Sequence, residues 1–462
     1  MAGFRRERDS IGELDVPEDA YYGISTQRAI ENFRISGKTM PLDFIYALAQ
    51  VKKACLVANR QEGLIDDKIG DAIDQAIDEL LIKGMFADQF PVDVYQTGSG
   101  TQTNMNVNEV LANRANEILG QPRGMKTPVH PNDHVNLAQS SNDTIPTAMH
   151  VATLTALRKD LLPALDLLEL TLSSKIKQFE GIVKVGRTHL QDAVPIGLST
   201  EFKVYRSQIE AVMEELRLAM EQLLVVPLGG TGLGTGINAS KKFSERAVKA
   251  LGRITSIDFT ENPVKAEGIA SHSDIVRTSG VLRRLALVCY KIANDIRWMG
   301  SGPRAGLGEL RLPQNEPGSS LMPGKVNPTQ SEALIQVCLR VIGNDATIEA
   351  AEGFGSVLDL NVCKPLMVST ILESVSVLSG GINSFVKNCL TGLEPNLNRI
   401  RETLDKNLMV VTRLTPHIGY DKSAEIAKEA LATGKSIKEI VIEKGIDIQG
   451  DLDEILDPRR MA

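Results

Sequence analysis

The stretch Phe202-Lys203-Val204-Tyr205-Arg206-Ser207-Gln208-Ile209-Glu210-Ala211-Val212-Met213-Glu214-Glu215-Leu216-Arg217-Leu218-Ala219-Met220-Glu221-Gln222-Leu223-Leu224-Val225-Val226 decides the class of fold. Phe202, Tyr205, Ile209, Val212, Leu216, Ala219, Leu223 and Val226 fall in unbroken steps of three and four. That is the period of one face of an α-helix. Upstream, Leu154, Leu157, Leu161, Leu165, Leu168, Leu172 and Ile176 repeat the pattern. Downstream it recurs at Ile275, Thr278, Leu282, Leu285, Cys289, Ile292, Ile296 and Met299, and less regularly over 329–352 and 365–390. Runs of about 25 residues reach on the order of 40 Å at 1.5 Å per residue, and such helices side by side form a bundle. The adjacent pairs Leu161-Leu162, Leu167-Leu168 and Leu223-Leu224 widen the apolar stripe, which predicts a second buried face against another subunit. Pro163 predicts a kink.

Outward from these runs the character changes. The first 140 residues are mixed, with amphipathic helices predicted over 42–60, 66–83 and 104–119. Gly84 stops the second, and Gly120 with Pro122 stops the third. Beyond Leu393-Glu394-Pro395 come shorter, more polar helices over 422–433 and 437–444. The reading is therefore a mainly α chain in three parts, 1–140, 141–393 and 394–462.

A length of 462 residues exceeds one hydrophobic core. Aromatic residues make up only 4%, with the single Trp298, which favours aliphatic helix packing. A net charge of −7 gives no basic surface for nucleic acid. Cys55, Cys289, Cys338, Cys363 and Cys389 are odd in number, with no C-x-x-C pair, so reduced thiols are expected rather than disulfides or zinc. The first residues lack the apolar run of a signal peptide, and no uncharged stretch of 18 apolar residues predicts a membrane span. The expected address is the cytoplasm.

Four polar segments interrupt this helical background. Gly318-Ser319-Ser320-Leu321-Met322-Pro323-Gly324-Lys325-Val326-Asn327-Pro328 cannot be regular helix, because Gly is permissive and Pro lacks a donor. Its glycine spacing, and Val326 after the lysine, rule out a Walker phosphate loop. A loop that presents two hydroxyls, an ammonium and an amide reads instead as a lid over a small anion. Thr97-Gly98-Ser99-Gly100-Thr101-Gln102 precedes a helix, where backbone N–H groups and hydroxyls suit an anion. His130-Pro131-Asn132-Asp133-His134 runs on to Gln139-Ser140-Ser141-Asn142-Asp143-Thr144, again before a long helix. Its two histidines have no obvious further ligands for zinc. Gly186-Arg187-Thr188-His189-Leu190-Gln191-Asp192 holds a histidine suited to acid–base work near neutral pH. The glycine-rich 229–236 segment does not fit G-x-G-x-x-G and reads as a loop between bundle helices.

Together these segments resemble the fumarase/aspartase superfamily, and within it the class II, iron-independent fumarases. The loop from Gly318 to Asn327 is similar to the superfamily's signature. Glu7-Arg8-Asp9-Ser10-Ile11-Gly12, Thr26-Gln27-Arg28, His417-Ile418-Gly419-Tyr420-Asp421-Lys422 and Leu456-Asp457-Pro458-Arg459 extend the match nearly end to end. Aspartate ammonia-lyases share the loop but typically carry Gln where this chain has His189. A histidine exchanges protons with water, and a glutamine does not.

The resemblance implies a three-domain, mostly helical subunit whose five-helix central domain joins three others in a homotetrameric core. Each active site would then draw on three chains. The implied reaction is reversible hydration of fumarate to (S)-malate, a tricarboxylic acid cycle step, without metal or other cofactor. Implied catalytic residues are Ser319 as base, His189 as general acid and Glu332 as the group that orients it. Implied substrate-binding residues are Ser99, Gly100, Thr101, Ser140, Ser141, Asn142, Thr188, Ser320, Lys325, Val326 and Asn327. A second, lesser dicarboxylate site would centre on His130, Pro131, Asn132 and Asp133. There the family usually has a basic residue three positions before the histidine, and this chain has Thr127 with Lys126 beside it.

Overall fold

The structure is a computed structural model in which residues 3–462 are described. Helices dominate, and the strands among the described residues form only two-stranded sheets. The predicted N-terminal helices occupy Leu42–Gln61, Asp67–Leu81 and Thr101–Ile118. Asp66 caps the second by accepting the N–H of Lys68. The third begins three residues ahead of its predicted start, because Gly100 takes the left-handed conformation (φ 75°) that lets the chain turn straight into Thr101.

The long apolar series are helical as well. The 154–176 series runs through Ser141–Ala156, a π-helical turn at Leu157–Leu161, and Leu162–Gln178. Pro163 offers no N–H to the turn before it, and the wider π turn takes up the mismatch at that point. The other series form Leu198–Gln222, Ser273–Met299, Thr329–Gly355 and Lys364–Phe385. The segment Lys364–Leu390 is long and apolar enough, by length and composition, to cross a bilayer. Its Met367, Val368, Ile371, Val375, Leu378 and Ile382 are nevertheless buried inside the protein.

The chain divides into two compact units. One comprises the chain through Pro163 together with Glu214–Arg284 and Leu339–Leu378. Its centre is the Leu42–Gln61 helix, packed against Ser141–Ala156, Asp67–Leu81 and Phe243–Thr255. Phe44, Ile45, Leu48, Val51, Cys55 and Ala58 on that helix are buried at helical spacing. Burial of a large apolar side chain stabilises by roughly 2 kcal/mol, so this single helix supplies much of the unit's core.

The other unit comprises Ala164–Met213, Leu285–Cys338 and Ser379–Ala462. It contains an antiparallel hairpin of Val183–Thr188 and Gln191–Gly197, an element absent from the sequence reading. The register shifts between Val185 and Arg187. A Cβ on Gly186 would lie 2.5 Å from the Val194 carbonyl oxygen, so only glycine admits this bulge. In the C-terminal part, Tyr420–Thr433 and Ile437–Glu443 match the predicted short helices. Val411, Leu414, Ile426, Ala430, Ile437, Ile440 and Val441 form their own core.

Phe44→Ala should cost roughly 3–5 kcal/mol and lower the thermal transition followed by circular dichroism. Leu42→Ala, on an exposed face of the same helix, should change stability by less than about 1 kcal/mol.

Candidate active site

In the first unit two helix N-termini meet. Ser99 Oγ lies 2.8 Å from Thr101 Oγ1, which lies 2.8 Å from Ser141 Oγ. This chain of hydroxyls joins the start of Thr101–Ile118 to the start of Ser141–Ala156, forty residues on. Ser140 caps the latter helix through its hydroxyl, and Asp143 answers through the Ser140 N–H in a reciprocal capping box. Asn142 donates to the Gly232 carbonyl at 2.9 Å. Uncapped N–H groups and hydroxyls at paired helix N-termini form a cradle for an anion.

Asp143 holds this cradle from below and is fully buried. Its second oxygen accepts the N–H groups of Gly229 and Thr231 at 3.0 and 2.9 Å. Burial pushes its carboxyl up to about 6, against those hydrogen bonds and the charge of Lys52. The sequence reading placed the glycine-rich loop between helices but gave it no tie to the site. The Ser140-x-x-Asp143 spacing was the available signal for a capping box. Its long-range partners left no mark in the sequence.

The turn from His130 sits in the same unit. His130 Nδ1 accepts from the N–H groups of Asn132 and Asp133, which leaves Nε2 as the protonated nitrogen of the neutral ring. The His134 ring accepts the His130 N–H at 2.9 Å. Pro131 is buried, while Asn132 and Asp133 are exposed. A cavity of about 540 Å³ brings His130 and Asn132 together with Thr101, Gln102, Arg28 and Lys126. Lys126 donates to the Arg8 carbonyl at 2.8 Å, and Arg28 is clamped by Asp9 at 2.8 and 3.0 Å.

The second unit holds the remaining candidates. Thr188 and His189 lie at the exposed tip of the hairpin. His189 and Leu190 both take positive φ, 56° and 59°, as the two central residues of the turn. Asn-Gly is the usual choice for such a turn. A bulky pair there costs roughly 1 kcal/mol or more per residue. The hairpin's root supports that strain: buried Lys184 bonds Glu201 at 3.0 Å and lies 3.2 Å from Glu309, which also binds Arg187 at 2.7 Å.

The loop at 318–328 is irregular, as its composition predicts. Ser319 Oγ accepts the N–H groups of Leu321 and Met322 at 3.2 and 2.9 Å. Asn327 bonds the Gly318 carbonyl and closes the loop at its base, and Lys325 donates to the Asn327 side chain. A Cβ on Gly318 would fall 1.9 Å from the Lys325 carbonyl oxygen. Ser320, Lys325 and Val326 are exposed. Glu332 is also exposed, in the first turn of Thr329–Gly355. Among the described residues no side-chain hydrogen bond joins it to His189.

The structure thus brings Ser99, Gly100, Thr101, Ser140, Ser141 and Asn142 together in one unit, with His130 to Asp133 nearby. Thr188, His189, the loop and Glu332 belong to the other unit. Among the described residues no group of three His, Cys, Asp or Glu side chains is arranged to hold a metal ion.

Residues 12–343 match a family described as "Lyase", and residues 410–462 match one described as "Fumarase C C-terminus". The chain is 52% identical over 443 residues to a class II fumarate hydratase of Thermosynechococcus vestitus, covering 96% of this chain and 94% of that protein. It is 49% identical over 462 residues to that of Nitrosomonas europaea, covering all of both. It superposes on the crystal structure of class II fumarase from Schistosoma mansoni with a TM-score of 0.97 at 40% identity, over 100% of this chain and 99% of that one.

Two glycines test the cradle. A Cβ on Gly98 would lie 1.5 Å from the Val362 backbone carbonyl oxygen, whereas one on Gly232 would meet nothing within 4 Å. Gly98→Ala should displace the Ser99–Thr101 turn and depress thermal stability and fumarate turnover together. Gly232→Ala should leave both near the parent values.

Proposed function

As the chain belongs to the class II fumarase family and catalyses the reversible hydration of fumarate, we propose that it does so by acid–base catalysis shared between the two groups of residues described above. In the direction of malate dehydration, Ser319 removes the proton from the carbon next to one carboxylate. The electron pair left behind enters that carboxylate, which becomes a doubly charged aci-carboxylate while the second carboxylate keeps its own charge. The C–O bond then breaks, His189 protonates the departing hydroxyl as general acid, and water leaves as the double bond forms. Glu332 orients His189.

The observation that supports Ser319 most directly is its hydrogen bonding. An alkoxide is a poor prospect in water, but Ser319 Oγ already accepts two backbone N–H groups. Donors fixed before the charge develops lower its cost, and the Lys325 ammonium in the same loop adds to the effect. Thr101, Ser141 and Asn142, with Ser99, Gly100 and Ser140 behind them, receive one end of the diacid. Thr188, Ser320, Lys325, Val326 and Asn327 line the other, and closure of the loop excludes water. No metal or cofactor enters this scheme.

His189 and Glu332 reach one another through neighbouring copies, in a homotetramer whose sites each draw on three chains. Each subunit consists of domains 1–140, 141–393 and 394–462. Exposed Leu167, Leu170, Val204, Leu218, Leu287 and Leu339 on the long helices support such burial. The His130–Asp133 turn takes a second dicarboxylate. Lys126 lines its cavity and supplies the positive charge that Thr127 does not, while Arg28 beside it is paired with Asp9. The five free thiols favour a reducing compartment, the cytoplasm.

Ser319→Ala and His189→Asn should each lower turnover by about a hundredfold or more, followed as loss or gain of the conjugated diacid's ultraviolet absorbance. Near-parent turnover in a correctly assembled Ser319→Ala protein removes Ser319 from the role of base. A change of less than about threefold in His189→Asn does the same for the general acid.

A further inference from the structure

Lys52 stands at the middle of the Leu42–Gln61 helix and is 1% exposed. A lysine is almost never buried unless its head group is satisfied. Here Nζ donates to Asn136 Oδ1 at 2.8 Å and to Gln139 Oε1 at 2.9 Å. Two helical turns on, Asn59 faces the same way and donates to the Leu137 carbonyl at 3.0 Å. One buried face of one helix thus grips the short turn 136–139 at three successive points.

That turn has a particular place in the chain. It begins where the π-helical segment Pro131–Val135 ends and finishes at Ser140, the cap of Ser141–Ala156. Both dicarboxylate-binding segments proposed above therefore flank it. At its centre Ala138 is held in the left-handed region, φ 59°. A non-glycine residue keeps that conformation only where its surroundings over-determine it. The grip also extends sideways. Asn136 Oδ1 accepts from Asn104 and Asn108 of the Thr101–Ile118 helix, at 3.0 and 3.2 Å. Thr144 reaches Asn104 at 3.3 Å. The elements that present Thr101, Ser141 and His130 thus converge on Asn136, which the Lys52 amine holds.

We propose that Lys52 is a positioning residue for the hydratase reaction: by holding Asn136 and Gln139 it fixes the strained turn that sets Ser140, Ser141 and Asn142 against Thr101. The inference rests on the reading of those residues as the substrate cradle. Lys52 touches no substrate, and its effect passes through the turn. Burial lowers its pKa to about 7, opposed by the nearby carboxylate of Asp143. The neutral amine still carries two N–H groups for its two acceptors, so the grip survives loss of the proton.

Lys52→Met keeps an unbranched apolar stem, one atom shorter, and removes the donors. It should raise KM for malate and fumarate by about tenfold, the loss of about 1.4 kcal/mol of substrate binding, while kcat per folded site changes by less than about threefold. A residue that serves only general stability would lower the melting temperature and leave KM alone. Adding Ala138→Gly, which takes the left-handed conformation without strain, should recover part of the lost KM. A folded Lys52→Met tetramer with KM within about twofold of the parent overturns the proposal. If Lys52→Met does not fold, Gln139→Glu and Gln139→Leu are compared. The first keeps an acceptor for the amine but, like the second, loses the amide donations to the Val135 and Leu137 carbonyls, so it should raise KM less than the second. Equal KM in the two overturns the proposal. Asn142→Ala is measured alongside. An unchanged KM there overturns the cradle reading itself, whereas a raised KM there with an unchanged Lys52→Met overturns only the role of Lys52.

Discussion

A single buried carboxylate organises the paired helix N-termini of the first unit. Asp143 accepts the N–H of Ser140 on one oxygen and those of Gly229 and Thr231 on the other. Without it, the buried N–H groups of Gly229 and Thr231 would be stranded, each at roughly 1–3 kcal/mol. With it, a helix start, its cap and a glycine-rich loop are fixed to one another. Asn142 and Ser141 are then aimed by a frame that cannot relax. Everything proposed about anion binding at these helix N-termini presupposes that frame.

The two units use different means to hold polar groups in place. In the first unit, neutral amides and hydroxyls surround Lys52 and Asp143, two of its fully buried ionisable groups. In the second, the strained hairpin turn at His189 rests on a buried ionic cluster of Lys184, Arg187, Glu201 and Glu309. A buried ion pair is weak evidence of stability in itself. Its use here is geometric, since it fixes a two-stranded element that would be marginal on its own.

Much of this was legible in the chain because it depends on local rules. The long helices announce themselves through unbroken three-and-four spacing, and their ends fall where Gly and Pro allow. The irregular loop at 318–328 follows from its own composition. The hairpin around His189 escaped because Val183-Lys184-Val185-Gly186-Arg187-Thr188 is short, charged and interrupted by a bulge. Strand identity there comes from pairing and from its buried ionic root, and neither is a local property.

The sequence by itself determined a mainly helical chain, the polar segments that interrupt it and, through the identity of His189 and the signature loop, the family's chemistry. Tertiary structure decided which of those segments meet. Ser99, Thr101 and Ser141 come within hydrogen-bonding distance across forty residues, and Gly229 to Gly232 closes on Asn142 and Asp143 from some ninety residues away. Helical periodicity repeats every few residues and is written in any short window. A hydrogen bond between distant caps depends on how whole helices pack, and no short window contains that information.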